Sequence, residues 1–231
     1  EEIGIFIAYI GAFSALLAAI IATKQTDIKK ILAYSTMSQL GYMFIAVGLG
    51  FYSSGLFHVF THAFFKAMLF MGAGGVIIAL HHEQNIFNIA KHRAILPIIS
   101  ATFLIGVIAI SGIPPFSGFF SKDAILAAAF QEGHYLIYGI ALFTAFLTAY
   151  YMFRLYFVVF VTPNHHKKEY VYTSKTITFP LVVLAVGAVT AGFLNLPSIF
   201  GGTHMVDTWL GSLNSKTITL SHSTEYILMA L

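Results

Sequence analysis

Residues 53–80 read SSGLFHVFTHAFFKAMLFMGAGGVIIAL, and Lys66 is the only Asp, Glu, Lys or Arg among them. A helix needs about 20 predominantly apolar residues to cross a bilayer, so this run is long enough to span a membrane. Its residues do not alternate between apolar and polar, which excludes a membrane barrel strand. The run therefore predicts a transmembrane helix with a lysine near its middle.

Five further apolar runs predict an all-α polytopic membrane protein with about six spans. They cover residues 3–23, 31–52, 94–130, 133–161 and 177–200. Of the 231 residues, 58% are apolar and 9% are charged, whereas an ordinary soluble domain is about 25% charged. This composition excludes a soluble globule, a disordered chain and a nucleic-acid-binding protein. Since the chain contains no cysteine, disulfides, Cys-ligated zinc and iron–sulfur clusters are excluded as well.

The basic residues of the loops predict the orientation. If the six spans alternate, one side of the membrane holds only Lys216, and the other holds Lys24, Lys29, Lys30, Lys91, Arg93, Lys167, Lys168 and Lys175. The positive-inside rule places this larger group in the cytoplasm. Arg154 lies close to the same side, where we expect its long side chain to reach the lipid headgroups. The chain begins with Glu1 and ends inside a new apolar run, so we expect a fragment of a longer protein.

The run 94–130 contains the segment SGIPPFSG, residues 111–118. Its two adjacent prolines remove two amide donors and clash with the preceding helical turn. Unwound backbone persists in a bilayer only where it is buried in protein or lines a wet cavity, and broken helices mark ion and substrate sites in transporters. We therefore expect a broken transmembrane helix. A simple loop before a short interfacial helix is the alternative.

His58, His62 and Lys66 follow one another at intervals of four residues, which places them on one stripe of a helix. Ionisable residues inside a membrane are costly and usually face the bundle interior or water. A lysine and two histidines in one stripe form a plausible proton relay, while static hydrogen bonds between helices are the alternative. Metal or haem ligation is disfavoured, because no third ligand has suitable spacing and two ligands one turn apart cannot occupy opposite axial positions of a haem.

Two other polar features leave alternatives open. Lys122 and Asp123 follow the proline segment and are either buried or form an ion pair at the membrane surface. The second span is dense in hydroxyl and amide groups, which either line a wet path or form bonds between helices. These residues are Tyr34, Ser35, Thr36, Ser38 and Gln39.

Four blocks of sequence resemble a known family. QTDIKKILAYSTMSQLGY (residues 25–42) and FHVFTHAFFKAMLF (57–70) resemble the antiporter-like proton-pumping subunits of respiratory complex I, and they are shared with the large subunits of multisubunit sodium/proton antiporters. HHEQN (81–85) and GFFSKDAIL (118–126) resemble the distal large subunit, called subunit L in bacteria and subunit five in mitochondria. The resemblance implies an antiporter-like helix bundle built from inverted five-helix repeats, each with a broken helix.

On this resemblance, residues 1–200 are the second-half transmembrane bundle, and residues 201–231 are a loop and the start of a further span. The implied function is proton translocation within NADH:quinone oxidoreductase, by a non-redox subunit with no cofactor, no direct NADH site and no complete active site. Its implied partners are the other membrane-arm subunits, the lipid bilayer, protons and internal water. A bacterial cell membrane is favoured over the mitochondrial inner membrane or the thylakoid.

The resemblance also implies the site residues. Lys66 corresponds to the central relay lysine, with His58 and His62 as relay histidines. Lys122 corresponds to the terminal lysine of the half channel, and Lys29 and Asp27 are implied to flank its cytoplasmic side. The alternative function is the large subunit of a multisubunit sodium/proton antiporter, and a haem- or copper-binding oxidase subunit is a rival of a different class.

Overall fold

The computed structural model describes residues 2–92, 94–162, 169–170, 174–196, 205–209, 215–220, 224 and 228. The helices are α1 (Glu2–Lys24), α2 (Ile28–Gly48), α3 (Tyr52–Ala79), α4 (Ile86–His92), α5 (Pro97–Ser111), α6 (Ser117–Gln131), α7 (Tyr135–Tyr156), α8 (Lys175–Thr190) and α9 (Met205–Trp209). A π-helical turn, Phe157–Val161, extends α7, and a 3-10 turn, Ala191–Leu194, extends α8. Two short strands, β1 (Ala94–Ile95) and β2 (Glu169–Tyr170), pair in parallel, with Ala94 opposite Glu169.

Five of these elements are long and apolar enough to cross a membrane: α1, α2, α3, α7 with its extension and α8 with its extension. A sixth crossing is divided between α5 and α6, which have 15 residues each. The predicted all-α membrane bundle of about six spans is thus confirmed.

The first two spans pack so closely that their backbones touch. The buried face of α1 consists of alanines and one glycine, Gly11. A Cβ atom at Gly11 would lie 2.7 Å from the carbonyl oxygen of Gly41 in α2, so only glycine fits there. Small residues at such contacts are typical of membrane helices, which associate by close packing because lipid is as apolar as their side chains.

The proline segment breaks the fourth span as predicted. Helix α5 ends at Ser111, and Gly112 adopts the left-handed conformation, with φ 77°, that commonly terminates a helix. The peptide bond between Pro114 and Pro115 is cis, and α6 begins at Ser117. The broken transmembrane helix is therefore confirmed, and the alternative of a surface loop before an interfacial helix is wrong, because α6 is buried along much of its length.

Hydrogen bonds join several loops at one end of the bundle, here called the basic end. The loop between α1 and α2 pairs with residues 83–86, since the amide of Ile28 donates to Gln84 O at 3.0 Å. Arg154 Nη1 donates to the carbonyls of Thr23 and Gln25, at 3.0 Å each. The guanidinium thus ties α7 to the end of α1 and the loop that follows, where the carbonyls are electronegative, and its reach to lipid headgroups stays a prediction.

Residues 215–220 lie across the opposite end of the bundle. The amide of Lys216 donates to Gly50 O at 3.0 Å, and the hydroxyls of Ser53 and Ser215 are 2.8 Å apart. The ammonium of Lys216 forms a salt bridge with Glu132, just after α6. Lys216 therefore lies at the end away from Lys24 and Arg154, in agreement with the predicted arrangement of loops. The other predicted loop residues Arg93, Lys167 and Lys168, and most of residues 201–231, lie outside the described residues.

Cysteine labelling should place the two ends on opposite sides of the membrane. Lys30 and Tyr135 are exposed, at the start of α2 and of α7 respectively. In a full-length protein without other cysteines, Tyr135→Cys should react with an impermeant maleimide on intact cells. Lys30→Cys should react only in inverted vesicles, because the positive-inside rule places its loop in the cytoplasm. Reaction of both on intact cells would contradict this orientation.

Candidate functional site

Four ionisable side chains form a row inside the bundle, here called the ionisable row: His58, His62 and Lys66 from α3, and Lys122 from α6. Lys66 is 5% exposed and Lys122 is 3% exposed, so neither reaches the membrane surface. His58 is fully buried and His62 is half-buried. Lys122 is thus buried, and the alternative of a surface ion pair for Lys122 is wrong.

The ammonium of Lys66 is held by a backbone carbonyl. Its Nζ donates to Leu32 O in α2 at 2.9 Å and lies 5.8 Å from the ring centre of Phe70. A carbonyl and an aromatic face both favour a cation without neutralising it. The position of Lys66 therefore depends on α2 as well as on its own helix.

The ammonium of Lys122 uses the helix break. Its Nζ donates to the carbonyl of Ile110, in the last turn of α5, and lies 5.5 Å from the ring centre of Tyr42. The last carbonyls of a helix lack helical partners and form the negative end of its dipole. The break thus supplies a buried acceptor for Lys122 that a continuous helix would not.

The two histidines occupy the space between the lysines along α3. Their ring centres are 6.2 Å apart, and the edge of the His62 ring packs on Phe65. His58 Nδ1 lies 2.9 Å from the Ser121 hydroxyl, and His58 Nε2 lies 3.2 Å from Gln39 Oε1. His62 Nε2 is buried and has no hydrogen-bond partner among the described residues. This nitrogen therefore needs a partner that the described residues do not supply, such as an ordered water.

Two polar groups of the second span join helices, as one of the two alternatives predicted, and the wet path stays a prediction. Gln39 binds His58, and Ser35 accepts a hydrogen bond of 2.9 Å from the Tyr151 hydroxyl of α7, so both join helices. The hydroxyl of Ser38 is buried without a partner among the described residues. Buried polar atoms of this kind are normally satisfied by ordered water, which is compatible with a wet path along α2.

A cavity of about 270 Å³ lies beside Lys122. The lining includes Lys122, Asp123, Phe146, and Ser111 and Gly112 at the helix break. Because the cavity adjoins the Lys122 amine, it provides room for water next to one end of the ionisable row.

Asp27 and Lys29 lie at the basic end, apart from the ionisable row. Asp27 caps α2, since its Oδ1 accepts from the amides of Lys29 at 2.8 Å and Lys30 at 3.2 Å. This cap starts α2 three residues before the apolar run that predicted it. The side chain of Lys29 is exposed. Its backbone is one helical turn from Leu32, the partner of Lys66, so Lys29 lies at the basic-end approach to that lysine.

Two hydroxyl groups of the site were missed from the sequence. Ser121 and Thr61 are fully buried, and their side-chain oxygens are 2.8 Å apart, between α6 and α3. Thr61 lies three residues after His58, and Ser121 precedes Lys122. These spacings are the only signals that could have identified them, and neither shows which way the side chain faces.

Comparison with known proteins shows which family the chain resembles. Residues 1–148 match the transmembrane family described as NADH:quinone oxidoreductase/Mrp antiporter. The chain is 44% identical over 215 residues to NADH-quinone oxidoreductase subunit L of Rhodobacter capsulatus, covering 87% of this chain and 30% of the relative. It is 45% identical over 197 residues to subunit L of Escherichia coli K12, covering 83% and 31%.

A chloroplast relative and a solved structure extend the comparison. NAD(P)H-quinone oxidoreductase subunit 5 of the Chlorokybus atmophyticus chloroplast is 44% identical over 210 residues, covering 83% of this chain and 32% of the relative. A chain of the archaeal membrane-bound sulfane sulfur reductase superposes with a TM-score of 0.79 at 28% identity, covering 99% of this chain and 44% of that one. The chain spans about a third of the length of these curated relatives.

The family match includes α1 to α6 and most of α7, and with them every member of the ionisable row. The superposition extends the likeness to nearly the whole chain. The apolar helices and the family agree that this is an integral multi-pass membrane protein. The chain belongs to the NADH:quinone oxidoreductase/Mrp antiporter transmembrane family.

Proposed function

We propose that this chain is part of a proton-translocating membrane subunit of an NADH:quinone oxidoreductase, and that protons pass along the ionisable row. The observation that supports this most strongly is the burial of two lysines and two histidines together in an apolar bundle. The relatives named subunit L and subunit 5 point to the same kind of complex. The chain would act without redox chemistry of its own, together with the other membrane-arm subunits.

The free-energy cost of burying a charged side chain supports a functional role for the two lysines. A charged side chain in a membrane interior costs several kcal/mol, so it is normally kept where it has a function. Burial disfavours the charge of an amine, and a carbonyl acceptor favours it. Lys66 and Lys122 experience both effects, since each is buried and donates to one main-chain carbonyl. An amine held between these opposing effects can both bind and release a proton.

The positions of the four side chains support an order in which a proton passes from one to the next. Lys66 binds the carbonyl of Leu32, one helical turn from Lys29 at the basic end. His62 and His58 follow along α3, with ring centres 6.2 Å apart. Lys122 comes last, beside the cavity at the helix break. Protons would thus enter near Lys66 and leave from Lys122, with Asp27 and Lys29 shaping the approach.

Charge repulsion supplies the coupling in this proposal. A proton that arrives at one amine raises the free energy of a charge on its neighbours, because like charges in a poorly solvated interior repel each other. The lysines lie on different helices, so a small displacement of α3 against α6 changes this repulsion. Movement of helices in neighbouring subunits could therefore drive protons along the ionisable row.

The rival functions fit the site less well. A sodium ion takes oxygen ligands, as hard cations generally do, whereas the ionisable row presents ammonium and imidazole groups. For a haem or copper site, both ring nitrogens of His58 are already engaged, by Ser121 and by Gln39.

Sodium-free vesicles test the proposed function. Inverted membrane vesicles that contain the complete complex should acidify when NADH is added in a buffer with potassium as the only alkali cation. The rate, followed with a pH-sensitive dye, should stay within about two-fold when sodium is added, because protons are the transported ion. Acidification that requires sodium would contradict the proposal and favour the antiporter function.

A further inference from the structure

Ser121 lies where α6 crosses α3, one residue before Lys122. Its hydroxyl is fully buried and meets four groups: His58 Nδ1 at 2.9 Å, Thr61 Oγ1 at 2.8 Å, Ser117 O at 3.3 Å and Gly118 O at 3.5 Å. Two of these partners belong to α3 and two are carbonyls of the preceding turn of α6. A single oxygen thus links a histidine of the ionisable row to the helix that carries Lys122.

One assignment of hydrogens is consistent with all of these contacts. With Gln39 Oε1 facing His58, that oxygen can only accept, and His58 Nε2 is assigned the hydrogen and donates to it. In a neutral imidazole the other nitrogen is then an acceptor, and Ser121 donates its hydrogen to His58 Nδ1. The Thr61 hydroxyl donates to Ser121, which completes a chain of donors from Thr61 through Ser121 and His58 to Gln39.

The same atoms can serve a charged His58. A proton bound at Nδ1 turns that nitrogen into a donor, and Ser121 must then accept from it. The Ser121 hydrogen can rotate about the Cβ–Oγ bond towards Ser117 O, which already lies within hydrogen-bond distance. Ser121 then accepts from both His58 and Thr61 and donates to Ser117 O. No heavy atom moves, the hydroxyl keeps its one hydrogen, and the added proton stays on His58.

We infer that Ser121 is a positioning residue whose hydroxyl rotation lets His58 hold either charge state. This inference rests on the proposed function, because it assigns Ser121 a role in proton passage. Without the hydroxyl, the neutral ring loses its donor and the charged ring loses its acceptor. The second loss is larger, since hydrogen bonds to charged groups are the stronger ones. Removing the hydroxyl should therefore hinder protonation of His58.

Substitution of Ser121 in the full-length subunit tests this role. In vesicles with the assembled complex, Ser121→Ala should slow NADH-driven acidification at least about ten-fold, as expected when a charged group loses one hydrogen bond. Ser121→Thr keeps a hydroxyl and should stay within about two-fold of the wild type. Thr102→Ala is the control and should pump at the wild-type rate, because Thr102 is also buried, and among the described residues its hydroxyl donates only to carbonyls of its own helix, Ile98 O and Ile99 O.

A double-mutant cycle separates a role through His58 from a merely structural one. Ser121→Ala should have no further effect in a His58→Gln background, because residues that act through one another are not additive. An equal additional loss in that background would overturn the inference. If Ser121→Ala does not assemble, Ser121→Cys replaces it, and a rate equal to that of Ser121→Thr would likewise overturn the inference.

Lys66→Ala in the same assay distinguishes a failure of the Ser121 role from a failure of the proposed function. If Lys66→Ala abolishes acidification while Ser121→Ala matches Thr102→Ala, only the role of Ser121 fails. If Lys66→Ala acidifies at the wild-type rate in an assembled complex, the proposed function fails and the role of Ser121 fails with it.

Discussion

Replacement of Lys122 by alanine is expected to abolish proton pumping while the complex still assembles. The ammonium is the only group of this side chain that binds the Ile110 carbonyl at the helix break, and it adjoins the cavity of about 270 Å³. Without the amine, a proton that leaves His58 loses the acceptor that the proposal places at this end of the ionisable row. NADH-driven acidification of vesicles should fall by at least about ten-fold, and turnover should fall with it if the two are tightly coupled.

Two variants provide the controls for this result. Lys122→Arg should also fail, because a guanidinium stays charged and cannot release its proton at working pH. Lys175→Ala, at the exposed start of α8, should pump at the wild-type rate. Full pumping by an assembled Lys122→Ala complex would contradict the terminal role of Lys122.

Replacement of Lys66 by methionine is expected to cause a loss of similar size. Methionine approximates the length of lysine and suits an apolar interior, so the contacts of the aliphatic stem with the bundle are kept. The carbonyl of Leu32 still accepts from the Thr36 hydroxyl at 2.9 Å. Assembly should therefore survive, and acidification should drop by at least about ten-fold, because the row loses the group that receives protons from the basic end.

The variant Lys66→Arg tests whether position 66 needs only a positive charge or must also release its proton. Lys66→Arg preserves the positive charge and can donate to Leu32 O, yet it should pump no better than Lys66→Met. Assembly is checked by the amount of intact complex in native gels. Wild-type acidification in either assembled variant would show that protons bypass Lys66.

Short stretches of sequence predict the spans, the helix break and the polar stripe, because each depends only on residues near one another in the chain. Uninterrupted apolar runs identify the spans, because the bilayer thickness sets their length. The prolines at 114 and 115 identify the break, since a missing amide disrupts a helix in any context. The four-residue spacing of His58, His62 and Lys66 identifies the stripe on α3, because helical periodicity is fixed.

Contacts between helices could not be predicted in the same way. The main-chain partners of the lysines, Leu32 O and Ile110 O, belong to helices whose rotation the hydropathy pattern leaves open. Ser121 was missed for the same reason. Arg154 was assigned to the headgroups because a lone arginine near a span end usually reaches them, whereas the end of α1 lies close enough to bind it. These interactions depend on how the helices cross, which only the folded chain shows.

Acidification inside liposomes that contain the purified complex tests whether protons pass along the ionisable row. The variant to compare with the wild type carries both Lys66→Met and Lys122→Met, and NADH and a quinone supply the driving reaction. If protons pass along the ionisable row, an entrapped pH indicator should report at most about a tenth of the wild-type rate from the intact double variant. Acidification at the wild-type rate would show that protons do not need the ionisable row.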